Sequence, residues 1–334
     1  MDAGARKYAH GCASERAGTQ WIGRTKVVLN SYQLTVDSEK LKNYEQSNKP
    51  RGKKRRIRVF PIILSVLILV IGILLCDSNS RLVTTEYELK YSNLPAGFDG
   101  FRIVVLSDIH AAVFGDNNER LISKVREAKP NIIAITGDFT DGSGKVAIEA
   151  QLKIAETLIA GLLPIAPVYY ITGNHEWDNG GIRELLKLLD EYNVGVLRNG
   201  YTRIYSGSGS IILAGTDDRN GPADMIRPDE FVAKIREAEG EGFLLMLEHR
   251  NSNLELYSEL GVDLVLCGHA HGGIIRLPFT DGIIGPQRDM FPTYTNGVYS
   301  MGGTNMVVSR GIGNHTGFPR FLNNPHIVVA VLNS

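Results

Sequence analysis

The chain has 334 residues, 43% of them hydrophobic, and its 36 Lys and Arg balance 36 Asp and Glu, so the formal net charge is zero. This size is sufficient for one large domain with a substantial core. Three cysteines, scattered over the whole chain, exclude a disulfide framework. The charge is unevenly distributed, because residues 1–58 hold 14 basic against 5 acidic residues and the rest of the chain holds 22 against 31.

The basic N-terminal region, residues 1–58, is predicted to be a cytoplasmic tail. Its first 50 residues are polar, with one weakly alternating patch at Val27–Val36, and we expect them to be mostly disordered. The basic cluster at residues 51–58 is suited to anionic lipid headgroups. Nucleic acid is not expected as a partner, because no aromatic or fold motif accompanies the cluster.

Residues Val59–Cys76 form an apolar stretch that is interrupted by Pro61, Ser65 and Gly72. About 18 such residues are the minimum for a helix that crosses a hydrocarbon core about 30 Å thick. The basic cluster before the stretch favours a cytoplasmic position for that end. We therefore expect a single-pass anchor, residues 59–76, in the cell membrane, with the acidic body on the extracytoplasmic side. The basic cluster disfavours the alternative of a buried core helix.

A cleaved signal peptide is the closer alternative, since it also has a basic flank. Ser78-Asn79-Ser80 is a weak match to a small-x-small cleavage site. The segment before it is, however, far longer than the roughly 15–30 residues of an ordinary signal peptide. We therefore expect an anchor that is not cleaved.

After the anchor, short apolar runs alternate with segments of helical periodicity, which predicts an α/β domain over residues 82–334. The predicted strands are Val83–Tyr91, Ile103–Leu106, Ile132–Ile135, Val168–Ile171, Phe243–Leu247, Leu264–Cys267, Asn305–Ser309 and Ile327–Leu332. The predicted helices are Asn118–Ala128, Lys145–Ala160, Ile182–Tyr192, Pro228–Ala238 and Asn253–Leu260. The later part of the chain, rich in Gly, Pro and short β-like runs, favours a second sheet packed on the first.

Side chains with metal-binding chemistry follow these strands at the points where they end. The motifs are Asp108-Ile109-His110, Gly137-Asp138-Phe139-Thr140-Asp141, Gly173-Asn174-His175-Glu176 and Gly268-His269-Ala270-His271, and His249 closes a fifth strand. Residues two apart on an extended segment point the same way, so an Asp-x-His or His-x-His pair can present two ligands to one ion. Ligands bind beyond the carboxyl ends of parallel strands. The motifs therefore predict one shared metal site.

The joint pattern carries this prediction, because a lone Asp or His at a strand end is more often a cap or a surface residue. Five strand ends hold seven ligand-type residues, and five of the eight histidines fall within the motifs. Mixed oxygen and nitrogen ligands suit Mn²⁺, Fe or Zn²⁺, and the lack of thiolate ligands argues against a structural zinc site. Two ions about 3.5–4 Å apart form the usual clamp for in-line phosphoryl displacement.

The order of these motifs resembles that of the calcineurin-like metallophosphoesterase superfamily, over roughly residues 100–331. More loosely, the chain is similar to the membrane-associated bacterial branch that resembles UDP-2,3-diacylglucosamine pyrophosphohydrolase-like phosphodiesterases. The resemblance implies two packed mixed β-sheets flanked by helices, a four-layer αββα sandwich, preceded here by one transmembrane helix. It also implies two divalent ions, of which Mn²⁺ is expected in preference to Fe or Zn²⁺. The reaction would be attack on phosphorus by a metal-activated hydroxide.

The same resemblance implies roles for individual residues. His175 would be the catalytic residue that donates to a phosphoryl oxygen or to the leaving group. Asp141 would orient a histidine, and Glu176 is either a family position or a carboxylate at a helix start. The implied metal ligands are Asp108, His110 and His271 for one ion, Asn174, His249 and His269 for the other, and Asp138 as the bridge between them.

Other polar residues are weaker candidates. Arg250 follows a predicted ligand and either contacts phosphate or forms a salt bridge. Arg310 and His315 lie in a Gly-rich loop, and the sequence leaves open whether this loop approaches the metal site. His326 is interpreted as non-functional, and Cys267 as packed within its strand.

The sequence predicts the substrate only as a class. We expect a phosphorylated or pyrophosphate-containing compound at the outer membrane surface, with lipid linkage as one option. The segment Leu277–Tyr294 is rich in apolar residues. They could form an apolar lip that admits a lipid tail or contacts the bilayer, and the alternative is that they cover the second sheet. The alternative functions are a phosphoprotein phosphatase and a non-catalytic binding module of the same fold, and the second is disfavoured because no ligand position is missing.

Overall fold

The structure is a computed structural model, and it describes residues 21–22, 25–26, 39, 42–43, 59–178, 180–222, 226–286, 288–314 and 317–334. The chain divides into two compact units, residues 1–59 and 60–334. In the first unit, two short strands, β1 (Trp21–Ile22) and β2 (Thr25–Lys26), pair antiparallel. Most of the tail, residues 1–58, lies outside the described residues, so its disorder stays a prediction.

Helix α1 (Val59–Ser80) contains the predicted apolar stretch and continues beyond it to Ser80. Within the described part of the chain, α1 is the one helix long and apolar enough to cross a membrane, with a mean hydropathy of 3.1 over 18 residues. Its apolar side chains face outward, as Phe60 does at 76% exposure. Because a core helix would be packed on at least one side, this exposure argues against the buried-helix alternative.

Two six-stranded mixed sheets form the centre of the second unit. In spatial order, the first sheet contains β3 (Val83–Lys90), β14 (His326–Asn333), β4 (Phe101–Leu106), β5 (Ile132–Thr136), β6 (Val168–Ile171) and β7 (Gly195–Val196). In the same way, the second contains β12 (Gly297–Met301), β13 (Thr304–Val308), β11 (Leu264–Cys267), β10 (Leu244–Leu247), β9 (Gly209–Gly215) and β8 (Gly200–Ser206). The strands that precede the predicted motifs run parallel to one another: β4, β5 and β6 in the first sheet, and β10 and β11 in the second.

Helices cover the outer face of each sheet. The first sheet carries α2 (Glu119–Glu127), α3 (Ile148–Leu162) and α5 (Ile182–Glu191), and the second carries α6 (Pro228–Glu239) and α7 (Leu254–Glu259). Alternate residues of one strand reach different cores, since Val104 packs among the helices and Val105 packs between the two sheets. The predicted four-layer sandwich is therefore confirmed.

The register brings the motifs to one edge. Leu106 at the end of β4 pairs with Ile135 near the end of β5, and Leu247 at the end of β10 pairs with Leu266 near the end of β11. The loops that follow these strands consequently begin at the same level, and a short helix, α4 (Asn174–Asp178), begins the loop after β6.

Candidate metal centre

The loops after β4 and β5 are joined by backbone hydrogen bonds, which fixes the side chains that they carry. The amide of Asp108 donates to the carbonyl of Gly137 (3.1 Å), and the amide of His110 donates to the carbonyl of Asp138 (2.9 Å). In the second sheet, the amide of His269 donates to both carboxylate oxygens of Asp108, at 3.1 and 3.0 Å. The two sheets are thus connected directly at this edge.

Five non-glycine residues of the predicted motifs have left-handed backbone conformations. Their φ angles are 49° at Asp108, 47° at His110, 51° at Asp138, 64° at His269 and 47° at His271. Non-glycine residues rarely adopt this region, which costs about 1–3 kcal/mol each, and such strain clusters at functional sites. The tight turns aim the five side chains back towards the edge between the sheets.

A first cluster contains Asp108, His110, Asp138 and His271, whose potential ligand atoms lie within 4.8 Å of one another. The Nε2 atoms of His110 and His271 are 3.2 Å apart, and His271 Nε2 is 3.4 Å from Asp108 Oδ1. His110 Nε2 lies 3.7 Å from Asp138 Oδ2. All four residues are buried.

A second cluster surrounds His249 and also includes Asp138. His249 Nε2 is 3.1 Å from His269 Nδ1, 3.2 Å from Asn174 Oδ1 and 3.2 Å from Asp138 Oδ2. Asp138 therefore belongs to both clusters, and the structure brings together all seven residues that the sequence predicted as ligands.

These residues fit two divalent cations. Ligand atoms that are about 2.0–2.2 Å from a shared ion lie about 3.0–3.4 Å apart, which is close to most of the separations found here. Between two imidazole nitrogens only one hydrogen can be donated, whereas a cation satisfies both lone pairs. His249 Nδ1 faces the carbonyl of Thr136 at 2.9 Å, which places the proton on Nδ1 and leaves the Nε2 lone pair for the centre.

The buried charges are strongly coupled. Burial works against ionisation of Asp138, but the neighbouring His249 and His110 hold its pKa well below the ordinary value. Burial, together with the charge of Asp138, raises the pKa of Asp108 to about 6. The pKa of His249 rises to about 10 despite burial, because Asp138 stabilises its charged form, whereas burial and the charge of His249 lower the pKa of His269 to about 3. A bound cation would displace the proton from His249, since an imidazole ligand must be neutral.

His175 lies beside the centre, at its more accessible edge. Its Nδ1 accepts a hydrogen bond from the amide of Gly142 (3.0 Å), so a neutral ring carries its proton on Nε2. That Nε2 is 4.0 Å from Asp138 Oδ2. Sequence reasoning missed Gly142, whose role depends on space, because a Cβ there would lie 2.4 Å from His175 Nδ1.

Glu176 is fully buried and accepts three backbone hydrogen bonds. The donors are the amides of Asp138 (3.1 Å), Thr140 (3.0 Å) and Gly173 (2.7 Å). Burial and the charge of Asp138 raise the pKa of Glu176 to about 7. The side chain thus connects the loops after β5 and β6, a role larger than that of a carboxylate at a helix start.

The weaker candidates have different positions. Asp141 accepts from the amide of Ser143 (3.1 Å) and lies within 4.8 Å of ring nitrogens of His110 and His175. Cys267 is fully buried on β11, and burial raises the pKa of its thiol well above the ordinary value, which agrees with a packing role.

The candidate Arg310 lies in the loop after β13 and contacts His326, the first residue of β14, which the sequence analysis interprets as non-functional. The amide of Arg310 donates to Nδ1 of the buried His326 (3.3 Å), and the adjacent Gly311 packs against Asp108. This Gly-rich loop therefore does approach the centre. His315 lies outside the described residues.

Arg219 and Arg250 lie at the entrance to the centre. Of the two alternatives for Arg250, the structure contains the salt bridge, with Nε 2.7 Å from Asp218 Oδ2 and Nη2 3.0 Å from Asp218 Oδ1. Its Nη1 also lies 3.4 Å from His269 Nε2. A cavity of about 300 Å³ opens here and is lined by Asn174, His175, Arg219, Asn220, Arg250, His269 and Pro286. The cavity gives an anionic ligand access to the clustered side chains.

Comparisons with known proteins agree with this geometry. Residues 101–273 match the family described as calcineurin-like phosphoesterase. The chain is 33% identical over 256 residues to an uncharacterized metallophosphoesterase, YkuE, of Bacillus subtilis, covering 75% of this chain and 85% of that protein. It is 27% identical to phosphodiesterase YaeI of Escherichia coli, covering 64% and 75%. It is also 27% identical to a zebrafish (Danio rerio) transmembrane protein with a metallophosphoesterase domain, covering 65% of this chain and half of that protein.

Proposed function

The chain belongs to the calcineurin-like metallophosphoesterases and is a metal-dependent phosphoester hydrolase, and from this membership we propose that it hydrolyses phosphodiester or pyrophosphate bonds at a binuclear centre. The observation that carries the proposal is the position of Asp138, whose carboxylate belongs to both ligand clusters. Mn²⁺ is the proposed metal and Fe or Zn²⁺ are the alternatives, because the mixed ligands suit all three and the carboxylate and amide oxygens favour Mn²⁺.

The proposed ligand sets follow the two clusters. Bound divalent ions activate water and stabilise the negative charge that develops on phosphoryl oxygens. The protein contributes fixed positions for the ligands, which second-layer hydrogen bonds such as that of His249 to Thr136 maintain. One ion would be held by Asp108, His110 and His271, the other by Asn174, His249 and His269, and Asp138 would contact both.

His175 is proposed to act on the substrate rather than on a metal. Because Nδ1 accepts from the amide of Gly142, a neutral ring carries its proton on Nε2, which can donate a hydrogen bond to a phosphoryl oxygen or to the departing oxygen. In either case the proton stays on Nε2, because its complete transfer from a neutral ring would leave an imidazolate anion.

Arg219 and Arg250 support a substrate with more than one anionic or polar part. Both line the cavity beside Asn174, His175 and His269. A phosphodiester or pyrophosphate has a second substituent on the reacting phosphorus, and guanidinium groups suit phosphate oxygens. The name of the phosphodiesterase relative points the same way. A lipid-linked substrate at the membrane surface is the finer form of the proposal.

Membrane anchoring by α1 is part of the proposal. The helix has the length and hydropathy of a span, residues 51–58 are basic, and one relative is named as a transmembrane protein. We infer a single pass with residues 82–334 on the extracytoplasmic side. With an epitope tag after Ser334, protease added to intact spheroplasts should remove the tag, and complete protection of the tag would contradict this orientation.

The hydrolytic proposal is tested on the full chain in detergent, with bis(p-nitrophenyl) phosphate and inorganic pyrophosphate as substrates. Chelation should abolish turnover and added Mn²⁺ should restore it. Asp138→Asn should lower kcat by about a thousandfold or more and reduce the metal content from two ions per chain. Asp190→Asn, an exposed carboxylate on α5, is the matched control and should retain activity. Full turnover by Asp138→Asn would overturn the bridging role.

A further inference from the structure

Four large apolar side chains project into solvent from the segment between the last motif and β12. Their exposures are 46% at Leu277, 108% at Phe279, 60% at Met290 and 71% at Phe291. These four residues, named here the apolar lip, do not cover the second sheet, which the sequence left as an alternative. Exposed apolar groups this close together are typical of an interaction surface.

The backbone holds the lip in two small hairpins. The bridges Arg276 to Gly282 and Ile284 to Met290 are antiparallel, and the amide of Thr280 donates to the carbonyl of Leu277 (3.1 Å) across the first tip. Phe279 and Phe291 have φ angles of 65° and 54°, which large side chains rarely adopt. The hairpins keep the rings of Phe279 and Phe291 exposed to solvent, although the left-handed backbone conformation of these two residues is unfavourable.

The base of the lip is bonded to the segment that receives the end of α1. Ile275 bridges Phe321, and the amide of Arg276 donates to the carbonyl of Phe321 (3.0 Å). The adjacent Arg320 makes two backbone hydrogen bonds with the side chain of Asn79 in the last turn of α1, at 3.0 and 2.9 Å. Phe318, on the same segment, is 47% exposed. The segment that carries the lip is therefore linked through residues 318–321 to the end of the apolar helix.

The other side of the lip borders the metal centre. A cavity of about 210 Å³ is lined by Pro286, Asp289, Pro292 and Thr293 from the lip segment, together with His269 and Arg250. The same segment consequently reaches the end of α1 and the entrance to the site.

We propose that the apolar lip and Phe318 insert into the outer leaflet of the bilayer that α1 spans, so that the metal centre opens towards the headgroup layer. The inference rests on the proposed anchoring by α1. A lipid surface is the occupant because the exposed side chains are large and apolar and their segment is linked to the end of a helix with the hydropathy of a span. Such a placement gives phosphate groups of membrane lipids direct access to the cavity.

The test is fluorescence quenching of the full chain reconstituted in phospholipid vesicles with brominated acyl chains. The variant Phe279→Trp places a reporter on the lip. Tyr205→Trp is the matched control, because Tyr205 is 73% exposed on the β8–β9 hairpin, at the opposite edge of the second sheet. The native Trp21 and Trp177 contribute equally to both proteins. Phe279→Trp should lose at least twice as much fluorescence to brominated lipid as Tyr205→Trp does.

Equal quenching of the two variants would overturn the inference, as would shielding of the lip reporter by a second copy or by another protein instead of lipid. The result does not depend on turnover, so it is distinguishable from failure of the proposed function. As a second readout, Phe279→Ser/Phe291→Ser should keep turnover of bis(p-nitrophenyl) phosphate and lose severalfold turnover of a pyrophosphate-linked lipid embedded in vesicles. Unchanged turnover of the embedded lipid would count against insertion.

Discussion

His175 differs from the other histidines of the centre in the use of its two ring nitrogens. Its Nδ1 accepts from a backbone amide, that of Gly142, while His249 directs Nδ1 to a backbone carbonyl, that of Thr136. A neutral His175 is therefore a donor at Nε2, and a neutral His249 is a lone-pair ligand there. The backbone alone thus separates a ring that can donate a hydrogen bond to substrate from a ring that can bind a cation.

Replacement of Gly142 tests this assignment. In Gly142→Ala the new Cβ would lie 2.4 Å from His175 Nδ1, so the ring must move and lose its hydrogen bond. We expect kcat to fall by about 10- to 100-fold, as for a misplaced hydrogen-bond donor, with metal content unchanged. Steady-state kinetics and metal analysis measure both. In Gly242→Ala the Cβ would meet only Ile212, at 4.0 Å, and this control should retain wild-type kcat.

The pH dependence of stability is predicted to include a contribution from Glu248. Burial raises the pKa of this side chain from 4.5 to about 7. Between these values the folded protein keeps a proton that the unfolded chain releases, so the free energy of unfolding falls as pH rises, by about 3 kcal/mol at most.

Glu248→Gln removes the titration and keeps an oxygen for Asn253, whose Nδ2 donates to Glu248 Oε1 at 2.5 Å. Thermal unfolding should show a higher Tm for the variant at pH 8, and the difference should shrink towards pH 5. A difference in Tm that is the same at both pH values would show that Glu248 does not titrate in this range.

At the level of single residues, the sequence predicted the groups whose chemistry is evident from type and position. Asp108, Asp138 and His249 follow apolar runs, and a strand end is a position that the sequence reveals. The roles of Gly142 and Arg320 could not be predicted, because they depend on contacts with residues far away in the chain: Gly142 with His175, and Arg320 with Asn79 and His271.

Between elements, Glu176 provides the main connection at the centre. One carboxylate accepts amides from the loop after β5, at Asp138 and Thr140, and from Gly173 after β6. The position of Asp138 relative to Asn174 therefore depends on a residue that is not one of the proposed metal ligands. Its effect on chemistry would be indirect, through the distance between the loops.

Glu176→Gln keeps the shape of the side chain but turns one acceptor oxygen into an NH₂ group that faces backbone donors. We expect a loss of about 1–3 kcal/mol in the free energy of unfolding and weaker Mn²⁺ binding. Denaturant unfolding and metal titration of the full chain measure the two effects. Glu184→Gln, in the exposed first turn of α5, should change neither. Wild-type Mn²⁺ affinity in Glu176→Gln would exclude the positioning role.

Sequence patterns predicted five helices after the anchor to within three residues at each end, but they missed the short helix α4 and several strands. Helix α5 was predicted as Ile182–Tyr192 and is Ile182–Glu191, because its apolar periodicity is strong. Strands β8 and β9 were missed, although Gly207-Ser208 between them is a hairpin signal. The sequence of β8 is mostly polar and lacks an apolar run, whereas β9 contains the buried run Ile211–Ala214 and could have been predicted from it.

Across the whole molecule, the last turn of α1 is bonded to the loop that supports the metal centre. The side chain of Asn79 donates to the carbonyl of Arg320 and accepts from its amide. The guanidinium of Arg320 donates to the carbonyl of Gly313 (2.6 Å) and lies 3.3 Å from His271 Nδ1. Arg320 is fully buried, and burial lowers its pKa to about 10. A change at the helix end can therefore reach a predicted metal ligand.

Asn79→Ala should loosen this connection. We expect faster hydrogen exchange of the Arg320 amide, which donates to Asn79 Oδ1, by about tenfold, together with weaker metal binding. Mass spectrometry of peptides from residues 317–324 measures the exchange. Ser80→Ala, which removes only a bond to Cys76 within the helix, is the control. Identical exchange in both variants would show that Asn79 does not hold the loop.

The junction between α1 and β3 also limits where the enzyme can act. Only Arg81 and Leu82 separate the helix from the strand, and β3 pairs with β14 from Val83 to Lys90. With α1 as the proposed anchor, a tether this short would leave the hydrolase almost no movement away from the membrane surface. It would therefore search for substrates by lateral diffusion in a plane, and soluble compounds far from the surface would be reached only when they diffuse to it.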